Sequence, residues 1–184
     1  KKWKLISFFS KNIFNKFNLC LPSTFETKKY LNLLGAKNIK FIGNLKYYGT
    51  NKLKNRDKKF LKKKFQNFKV WCAASTHEGE EILISKLHTK IKKKEKKLLT
   101  IIIPRHINRV HKLMEDLKKS NLRIVKHSSE QKLKKDTDIY LVDTYGEAPK
   151  FYNLSNVSFV GGSIINHGGQ NPLEPARLGN YIVN

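Results

Sequence analysis

The sequence has 184 residues, and its 38 basic and 14 acidic side chains give a formal net charge of +24. Hydrophobic residues make up 39% of the chain, which is enough to build a core and excludes wholesale disorder. The apolar runs are too short to cross a membrane, and two cysteines cannot form a disulfide framework. Because the chain starts with lysine and stops in an apolar run, we expect it to be a segment of a longer protein.

The positive charge is carried almost entirely by lysine, since the sequence contains only five arginines. Surfaces that clamp phosphates usually favour arginine, whose planar guanidinium binds an anion through two hydrogen bonds. We therefore interpret most of the lysine excess as a solvated surface and the remainder as attraction to anionic membranes or substrates. Residues 1–17 mix aromatic and basic side chains at helical spacing, which indicates either a helix on an anionic membrane surface or one packed on its own domain.

The first part of the chain predicts a short mixed domain followed by a linker. Residues 17–21 and 38–42 have the composition of strands. Between them, residues 23–26 form a capping box that starts a helix, and Gly35 ends it. From residue 46 to residue 69 the chain is polar and lysine-rich, with one short helix at residues 57–65.

From residue 70 onward, apolar strands alternate with helices. Strands are predicted at 70–74, 98–103, 122–125, 139–142, 157–160 and 181–183, and helices at 78–94, 110–119 and 172–178. Continuous β-branched strands of this kind are typical of an α/β fold with a parallel sheet covered by helices on both faces. Such sheets bind ligands beyond the carboxyl ends of their strands, so the loops at that edge matter most.

Two of these loops carry polar residues directly after a buried strand. In the loop after residue 74, Ser75 or Thr76 is placed to cap the following helix, whose free N–H groups form an anion site. Arg105 follows the next strand, where a guanidinium has little structural purpose and is suited to a phosphate. His106 and His111 are five residues apart, which disfavours a metal site on one helix face.

Two later loops are rich in glycine. Gly146 lets the loop after residue 142 turn sharply or approach a ligand. The loop after residue 160 contains two glycine pairs, from which we predict a phosphate-binding loop. Asn171 then has the position of a helix cap, and Glu174 could accept hydrogen bonds from ribose hydroxyls. The predicted phosphate loop comprises Ser75, Gly161, Gly162 and Ser163.

The DxD motif at Asp136 and Asp138 is a candidate metal site, because carboxylate pairs hold Mg²⁺ in many sugar transferases. Here the motif precedes a predicted strand, so it lies at the edge opposite to the ligand-binding loops. We therefore predict no metal site and no cofactor.

Taken together, the motifs resemble those of the 3-deoxy-D-manno-octulosonic acid (Kdo) transferases of lipopolysaccharide synthesis. The matching segments are GNLKYY at 43–48, ASTHEGEE at 74–81, PRHxxR at 104–109, DTxGE at 143–147 and GGSxxxHGGxNPLEPA at 161–176. The chain departs from the family pattern at Ile107, Asn108, Tyr145 and Gln170.

The resemblance implies a GT-B architecture of two facing Rossmann-like domains. Residues 1–47 would end the acceptor-side domain, 48–69 would link the domains, and 70–184 would form most of the donor-side domain. It also implies a CMP-Kdo donor, a lipid A precursor (lipid IVA) acceptor and a place on the cytoplasmic face of the inner membrane. The residues that it assigns to CMP are Pro104, Arg105, Tyr145, Gly146, Glu147, Asn171, Pro172, Leu173 and Glu174.

The catalytic residue that the resemblance implies is Lys46, which would stabilise the transition state. The glycine-glutamate motif that provides the family's catalytic base has no counterpart in this sequence, so we expect CMP binding without sugar transfer. Two alternatives remain at this point. One is a GT-B enzyme that uses another nucleotide-sugar. The other is a basic module that binds nucleic acid, which is disfavoured because the sequence contains no recognisable nucleic-acid-binding motif.

Overall fold

The computed structural model describes residues 3, 6–45 and 55–184. The chain divides into two compact units, Lys1–Thr50 and Asn51–Asn184. The first unit contains the helices α1 (Ser7–Phe14) and α2 (Phe25–Leu33). None of the helices in the described ranges is long and apolar enough to span a bilayer.

Backbone pairing in the described part of the first unit is limited to one parallel bridge, between Cys20 and Ile39. The Cys20 N–H donates to the Asn38 carbonyl at 2.8 Å, and the Lys40 N–H donates to the Cys20 carbonyl at 3.0 Å. The prediction of full strands at 17–21 and 38–42 was therefore wrong. A sheet of two short strands without a third is only marginally stable, so the strand-like composition of these segments is not enough to make them form extended strands.

The cap of α2 also differs from the predicted capping box. Thr24 is the N-cap residue, and its hydroxyl accepts a hydrogen bond from the Thr27 N–H at 3.1 Å. A threonine side chain satisfies one of the helix's free N–H groups in the same way as the predicted box would.

The second unit is built on a six-stranded parallel sheet with the order β3-β4-β2-β1-β5-β6. Every pair of neighbouring strands is parallel, so all six carboxyl ends lie at one edge. The strands are β1 (Lys69–Thr76), β2 (Leu98–Pro104), β3 (Ile124–Lys126), β4 (Ile139–Leu141), β5 (Val157–Val160) and β6 (Tyr181–Val183). The helices are α3 (Asn55–Phe65), α4 (Glu80–Lys92), α5 (Val110–Lys118), α6 (Ala148–Tyr152) and α7 (Leu173–Arg177).

Alternate residues of the central strands face two separate apolar clusters. Ile101 and Tyr140 belong to the cluster that contains residues of α3 and α6. Ile102 and Leu141 belong to the cluster that contains residues of α4 and α5. Because both faces of the sheet are covered by helices, the strands are apolar throughout. The predicted Rossmann-like α/β fold is thus confirmed.

Helix α3 belongs to the core of the second unit, although its lysine-rich sequence was interpreted as part of a linker. Leu61 and Phe65 are buried against the sheet. The Phe65 ring meets Tyr140 edge to face with 5.1 Å between centroids. The lysines occupy the other positions of an amphipathic helix, so the charged composition hid a short apolar stripe.

The order of the strands places a crevice at the centre of the carboxyl edge. From β1 the chain moves to β2 on one side, and it later returns to β5 on the other side of β1. At such a reversal the loops after the two flanking strands run in opposite directions and leave a space between them. The loops after β1 and β5 therefore line the expected ligand site.

Candidate functional site

Three loops at the carboxyl edge are joined by backbone hydrogen bonds. The Arg105 N–H donates to the Thr76 carbonyl, and the Gly161 N–H donates to the Ala74 carbonyl, each at 2.9 Å. The last residues of β1 therefore bind the first residues of the loops after β2 and β5. The segments 74–81, 104–109 and 161–176, which carry the sequence motifs, thus start side by side at the carboxyl edge.

Ser75 has a backbone conformation that is unfavourable for its residue type. Its φ is +55°, and the pairing of β1 with β2 shifts register at this residue. Gly161 packs directly against it: a Cβ on Gly161 would overlap the Ser75 carbonyl oxygen and lie 2.8 Å from Glu80 Oε2. Left-handed non-glycine residues and bare backbone of this kind concentrate at functional sites, where the surrounding structure holds them.

The carboxylate of Glu80 connects the loops after β1 and β5 from inside the protein. Glu80 is fully buried, and it accepts hydrogen bonds from the N–H groups of His77 at 2.8 Å, Gly162 at 2.8 Å and Ile164 at 3.4 Å. The predicted capping of α4 by Ser75 or Thr76 was wrong. The N-cap residue is Gly79, at φ +93°, and the Glu80 side chain satisfies the neighbouring loop.

Two backbone N–H groups of the predicted phosphate loop, those of Gly161 and Gly162, are already bonded within the protein. The Gly161 N–H donates to Ala74 and the Gly162 N–H to Glu80, while the Ser163 hydroxyl donates to the Val160 carbonyl at 3.2 Å. The Gly162 N–H thus donates to a buried carboxylate, while phosphate binding by this loop stays a prediction. The glycines are needed for close packing.

The two glycine pairs of the loop after β5 pack against each other. The Gly169 N–H donates to the Gly162 carbonyl at 2.7 Å, and the Gln170 N–H donates to the Gly161 carbonyl at 3.0 Å. This closed loop brings the start of α7 to the carboxyl edge. Asn171 caps that start through its side-chain oxygen, which accepts from the Leu173 N–H at 3.1 Å, although the helix is assigned from Leu173 with Pro172 at the N-cap position.

The two arginines of the loop after β2 have different environments. Arg109 donates to the Thr76 carbonyl at 3.2 Å and forms an ion pair with the buried Glu81. Arg105 is exposed, and its guanidinium makes no hydrogen bond or ion pair with any residue in the described ranges. Arg109 therefore ties the loop to α4, while anion binding by the exposed Arg105 stays a prediction.

The loop after β4 supplies the other part of the predicted nucleotide site. Tyr145 is 68% exposed and Gly146 has φ +79°. Glu147 pairs with Lys150 at 2.8 Å and lies 3.7 Å from His127. Burial lowers the pKa of His127, which keeps this imidazole neutral at pH 7. Since three strand spacings of about 4.8 Å separate β4 from β5, the loop after β4 lies roughly 14 Å along the edge from the glycine loop.

Three imidazoles also meet at this edge, which the sequence analysis did not predict. The His77 ring lies 4.3 Å from the His167 ring and 6.1 Å from the His106 ring, measured between centroids. His77 is buried, and neither of its ring nitrogens has a hydrogen-bond partner among the described residues. Their spacing along the chain, 29 and 61 residues, gave no signal of this contact.

Buried polar atoms without partners are concentrated in the loops at the carboxyl edge. Besides the His77 nitrogens they include the hydroxyl oxygens of Thr76 and Thr144, within the part of the chain that the structure describes. Burying a polar group without a hydrogen bond is unfavourable, so such groups ordinarily have a partner in the functional state. Their position agrees with a polar ligand at this edge.

The DxD motif has a structural role at the opposite edge. Asp138 accepts hydrogen bonds from the buried His88 at 3.2 Å, from Lys92 at 2.5 Å and from the Arg123 N–H at 2.9 Å. Asp136 forms an exposed ion pair with Arg123. Among the described residues no group of histidine, cysteine and acidic side chains is arranged to hold a metal ion.

Lys46, the predicted transition-state stabiliser, lies outside the described residues. The other predicted site residues lie at or just beyond the carboxyl ends of four strands of the second unit, β1, β2, β4 and β5. The loops after β1, β2 and β5 are in contact, and the loop after β4 lies further along the same edge.

The chain was compared with known proteins. No family model matches the chain. The 3-deoxy-D-manno-octulosonic acid transferase of Haemophilus influenzae is 39% identical over 110 residues, 60% of this chain and 26% of that protein. The transferase of the same name from Rickettsia typhi is 32% identical over 185 residues, which cover this whole chain and 40% of that protein.

Among solved structures, the C-terminal CMP-Kdo binding domain of WaaA from Acinetobacter baumannii is 34% identical to this chain. The two superpose with a TM-score of 0.65 over 69% of this chain and 67% of that domain. The chain belongs to the Kdo transferase family. It spans 26% and 40% of the length of the two curated relatives, so it corresponds to part of such a protein.

Proposed function

We propose that this chain is the donor-binding part of a glycosyltransferase that transfers Kdo from CMP-Kdo to a lipid A precursor in lipopolysaccharide synthesis. The observation that carries the proposal is the likeness of this chain, over 69% of its length, to a CMP-Kdo binding domain at 34% identity. The arrangement of the carboxyl edge supports it, because the motifs shared with the family converge there.

The residues at this edge suit a nucleotide with a departing phosphate. When the bond between Kdo and CMP breaks, negative charge develops on the phosphate and positive charge on the sugar. Cations and fixed hydrogen-bond donors beside the phosphate stabilise such a transition state. The exposed guanidinium of Arg105 fits that role. Cytidine would be bound by residues 145–147 and by the start of α7, where Glu174 would accept from the ribose hydroxyls.

Calorimetric titration of the 184-residue chain with CMP, UDP and GDP tests this assignment. We expect CMP to bind most tightly. Replacement of Arg105 or Glu174 by alanine should weaken CMP binding by about tenfold, since each loses a charge-assisted hydrogen bond.

Matched controls are Arg123→Ala and Glu115→Ala, which remove the same side chains away from the carboxyl edge. Both controls should bind CMP as the unmodified chain does. Equal affinity for the three nucleotides, or CMP titrations left unchanged by both edge substitutions, would contradict the proposal.

Transfer needs more than donor binding, because a base must take the proton of the acceptor hydroxyl. No residue of this chain is assigned that role, and the two curated relatives are each more than twice as long as this chain. We therefore expect the 184-residue chain to bind CMP-Kdo without transferring Kdo to a lipid A precursor. Transfer by this chain, measured by mass spectrometry of the lipid product, would contradict that expectation.

We also propose that the protein acts at the cytoplasmic face of the inner membrane, where such an acceptor would be embedded. The support comes from α1, on which Phe8 is 82% and Phe9 is 56% exposed beside Lys11. Exposed aromatic and basic side chains on one helix favour an anionic membrane surface. Flotation with anionic vesicles should carry the chain upward, and Phe8→Ser with Phe9→Ser should reduce that fraction. No difference between anionic and neutral vesicles would contradict this.

A further inference from the structure

The three imidazoles at the carboxyl edge are not explained by folding alone. His77 is held between the loops after β1 and β5, and its side chain is 9% exposed. A buried imidazole usually has at least one ring nitrogen hydrogen-bonded. Neither nitrogen of His77 has a hydrogen-bond partner among the described residues, and Nδ1 lies 3.7 Å from Glu80 Oε2, beyond hydrogen-bonding distance. The unsatisfied donor and acceptor lie at the crevice where ligands of this fold bind.

His106 and His167 complete the group from the other two loops. Both side chains are exposed, and their rings lie 6.1 Å and 4.3 Å from the His77 ring. Three strands therefore each contribute one histidine at the point where their loops meet. An anion bound there would contact donors from all three loops.

We propose that His77, His106 and His167 form an oxyanion subsite that takes up a proton when the negatively charged part of the sugar donor binds. The ligand chemistry is a phosphodiester or a carboxylate, both of which CMP-Kdo carries. The proposal deepens the proposed function and rests on it, since it specifies how the donor's charge is recognised.

The charges around His77 explain why the proton would arrive only with the ligand. Burial lowers the pKa of His77, and the neighbouring His167, His106 and Arg109 lower it further, while Glu80 raises it. The Arg109 guanidinium is paired with Glu81, and the Glu80 carboxylate accepts hydrogen bonds from three backbone N–H groups. An oxyanion beside the cluster stabilises the imidazolium and raises its pKa.

The direction of the pH effect follows from this linkage. If the complex holds more protons than the free protein, ligand affinity rises as the pH falls through the range in which histidine titrates. CMP itself is unsuitable as a probe, because its phosphate titrates near pH 6. The methyl phosphodiester of CMP keeps a single negative charge throughout that range.

The test measures the affinity of the chain for three probes from about pH 6 to about pH 8, which brackets the histidine pKa. The probes are the CMP methyl ester, free Kdo and cytidine. For the anion that occupies the subsite, we expect the affinity to fall about fivefold as the pH rises across this range. The affinity for cytidine should not change with pH. A slope with the ester identifies the phosphate as the anion, and a slope with Kdo identifies the carboxylate.

Substitutions then locate the proton. His106→Asn and His167→Asn change exposed side chains and should each weaken binding of that anion and flatten the slope. His77→Asn should remove the slope if the variant folds. His111→Asn, on an imidazole 92% exposed in α5, should change nothing. NMR of the ring Cε1–H resonances should show the pKa of His77 rising when the anion binds.

The outcomes separate this inference from the proposed function. Binding of the ester and of Kdo with no pH slope, or with a slope that both exposed substitutions preserve, overturns the inference and leaves CMP recognition intact. If no cytidine ligand binds at any pH, both the proposed function and the inference are overturned.

Discussion

Single residues decide how closely the loops at the carboxyl edge approach one another. Gly161 is the clearest case, because any side chain there would meet the Ser75 backbone and the Glu80 carboxylate. The buried carboxylate of Glu80 in turn accepts hydrogen bonds from three backbone N–H groups, and two of these, of Gly162 and Ile164, fix the loop after β5. Neither residue is among those predicted to touch a ligand through its side chain, yet both determine where such residues stand.

Replacing Gly161 by alanine should destabilise the protein through overlap with Ser75. We expect the free energy of unfolding in urea to fall by about 1–3 kcal/mol, the usual cost of inserting a methyl group into packed surroundings. Gly168→Ala is the matched control, since open space surrounds Gly168 and only its φ of +89° opposes alanine. That change should cost about 1 kcal/mol. A larger loss for Gly168→Ala would contradict the packing argument.

Asp138 should contribute stability that depends on pH. Burial raises the pKa of this carboxyl, but hydrogen bonds from His88, Lys92 and the Arg123 N–H outweigh burial and hold the pKa well below its usual range. A depressed pKa stabilises the folded state above the unfolded value, which is 3.8, and this stability is lost as the pH falls toward the folded value. Asp138→Asn should lower the free energy of unfolding by about 1.5–3 kcal/mol at pH 7.

The difference in the free energy of unfolding between the wild-type chain and Asp138→Asn should shrink as the pH is lowered below about 5, because the carboxylate then gains a proton on unfolding. Asp136→Asn removes the neighbouring carboxylate, whose ion pair is exposed, and should cost less than about 1 kcal/mol. Urea titrations at several pH values provide both measurements. A difference that stays constant down to acidic pH would contradict the ionic explanation.

At the scale of elements, helices from both sides hold the sheet through alternate strand residues. On one face α3 and α6 meet Tyr140 through the aromatic side chains of Phe65 and Phe151, with 5.1 Å and 5.8 Å between ring centroids. Burial raises the pKa of Tyr140 to about 12, and its hydroxyl is bonded to Lys64 and His127. A polar network of this kind, fully satisfied, fixes the position of α3 on the sheet.

Phe65→Ala therefore tests whether α3 is a structural part of the second unit. Removing a fully buried aromatic ring should lower the free energy of unfolding by about 3–5 kcal/mol. Phe60→Ala changes the same residue type in the same helix at a position that is 66% exposed, and it should stay within about 0.5 kcal/mol of the wild-type value. Equal effects of the two substitutions would show that α3 behaves as a linker.

For the molecule as a whole, the net charge of +24 is the dominant electrostatic feature. Ion pairs in the described ranges use the few acidic residues, including Glu78 with Lys112 and Glu95 with Lys69. Most lysines are left without such partners because there are only 14 acidic residues for 38 basic ones. Mutual repulsion of unpaired cations opposes the compact state and is screened by salt.

Stability should consequently rise with ionic strength. Raising sodium chloride from about 0.01 M to about 0.15 M shortens the Debye length from ~30 Å to ~8 Å, which screens distant lysines from one another. We expect a higher midpoint of thermal unfolding by circular dichroism at the higher salt concentration. Sodium sulfate at matched ionic strength shows whether a specific anion adds to the screening effect. A midpoint that falls with salt would mean that attractive pairs outweigh the repulsion.

The sequence by itself determined the parallel sheet and the edge at which its strands end. Continuous β-branched strands separated by helices allow one arrangement, a parallel sheet covered on both faces, and parallel strands bring their carboxyl ends together whatever their order. The motifs placed after those strands identified the family from local residue types, and the family was confirmed. The same local information marked Arg105 as an anion-binding candidate.

Only the tertiary structure decided which polar groups at that edge are hydrogen-bonded or ion-paired within the protein. The Gly162 N–H is bonded to Glu80, 82 residues earlier in the chain, and Arg109 rather than Arg105 is paired with Glu81. The burial of α3 and the meeting of His77, His106 and His167 likewise depend on strand order. Hydrogen bonds and ring contacts between distant segments form in three dimensions, so periodicity and spacing along one chain carry no record of them.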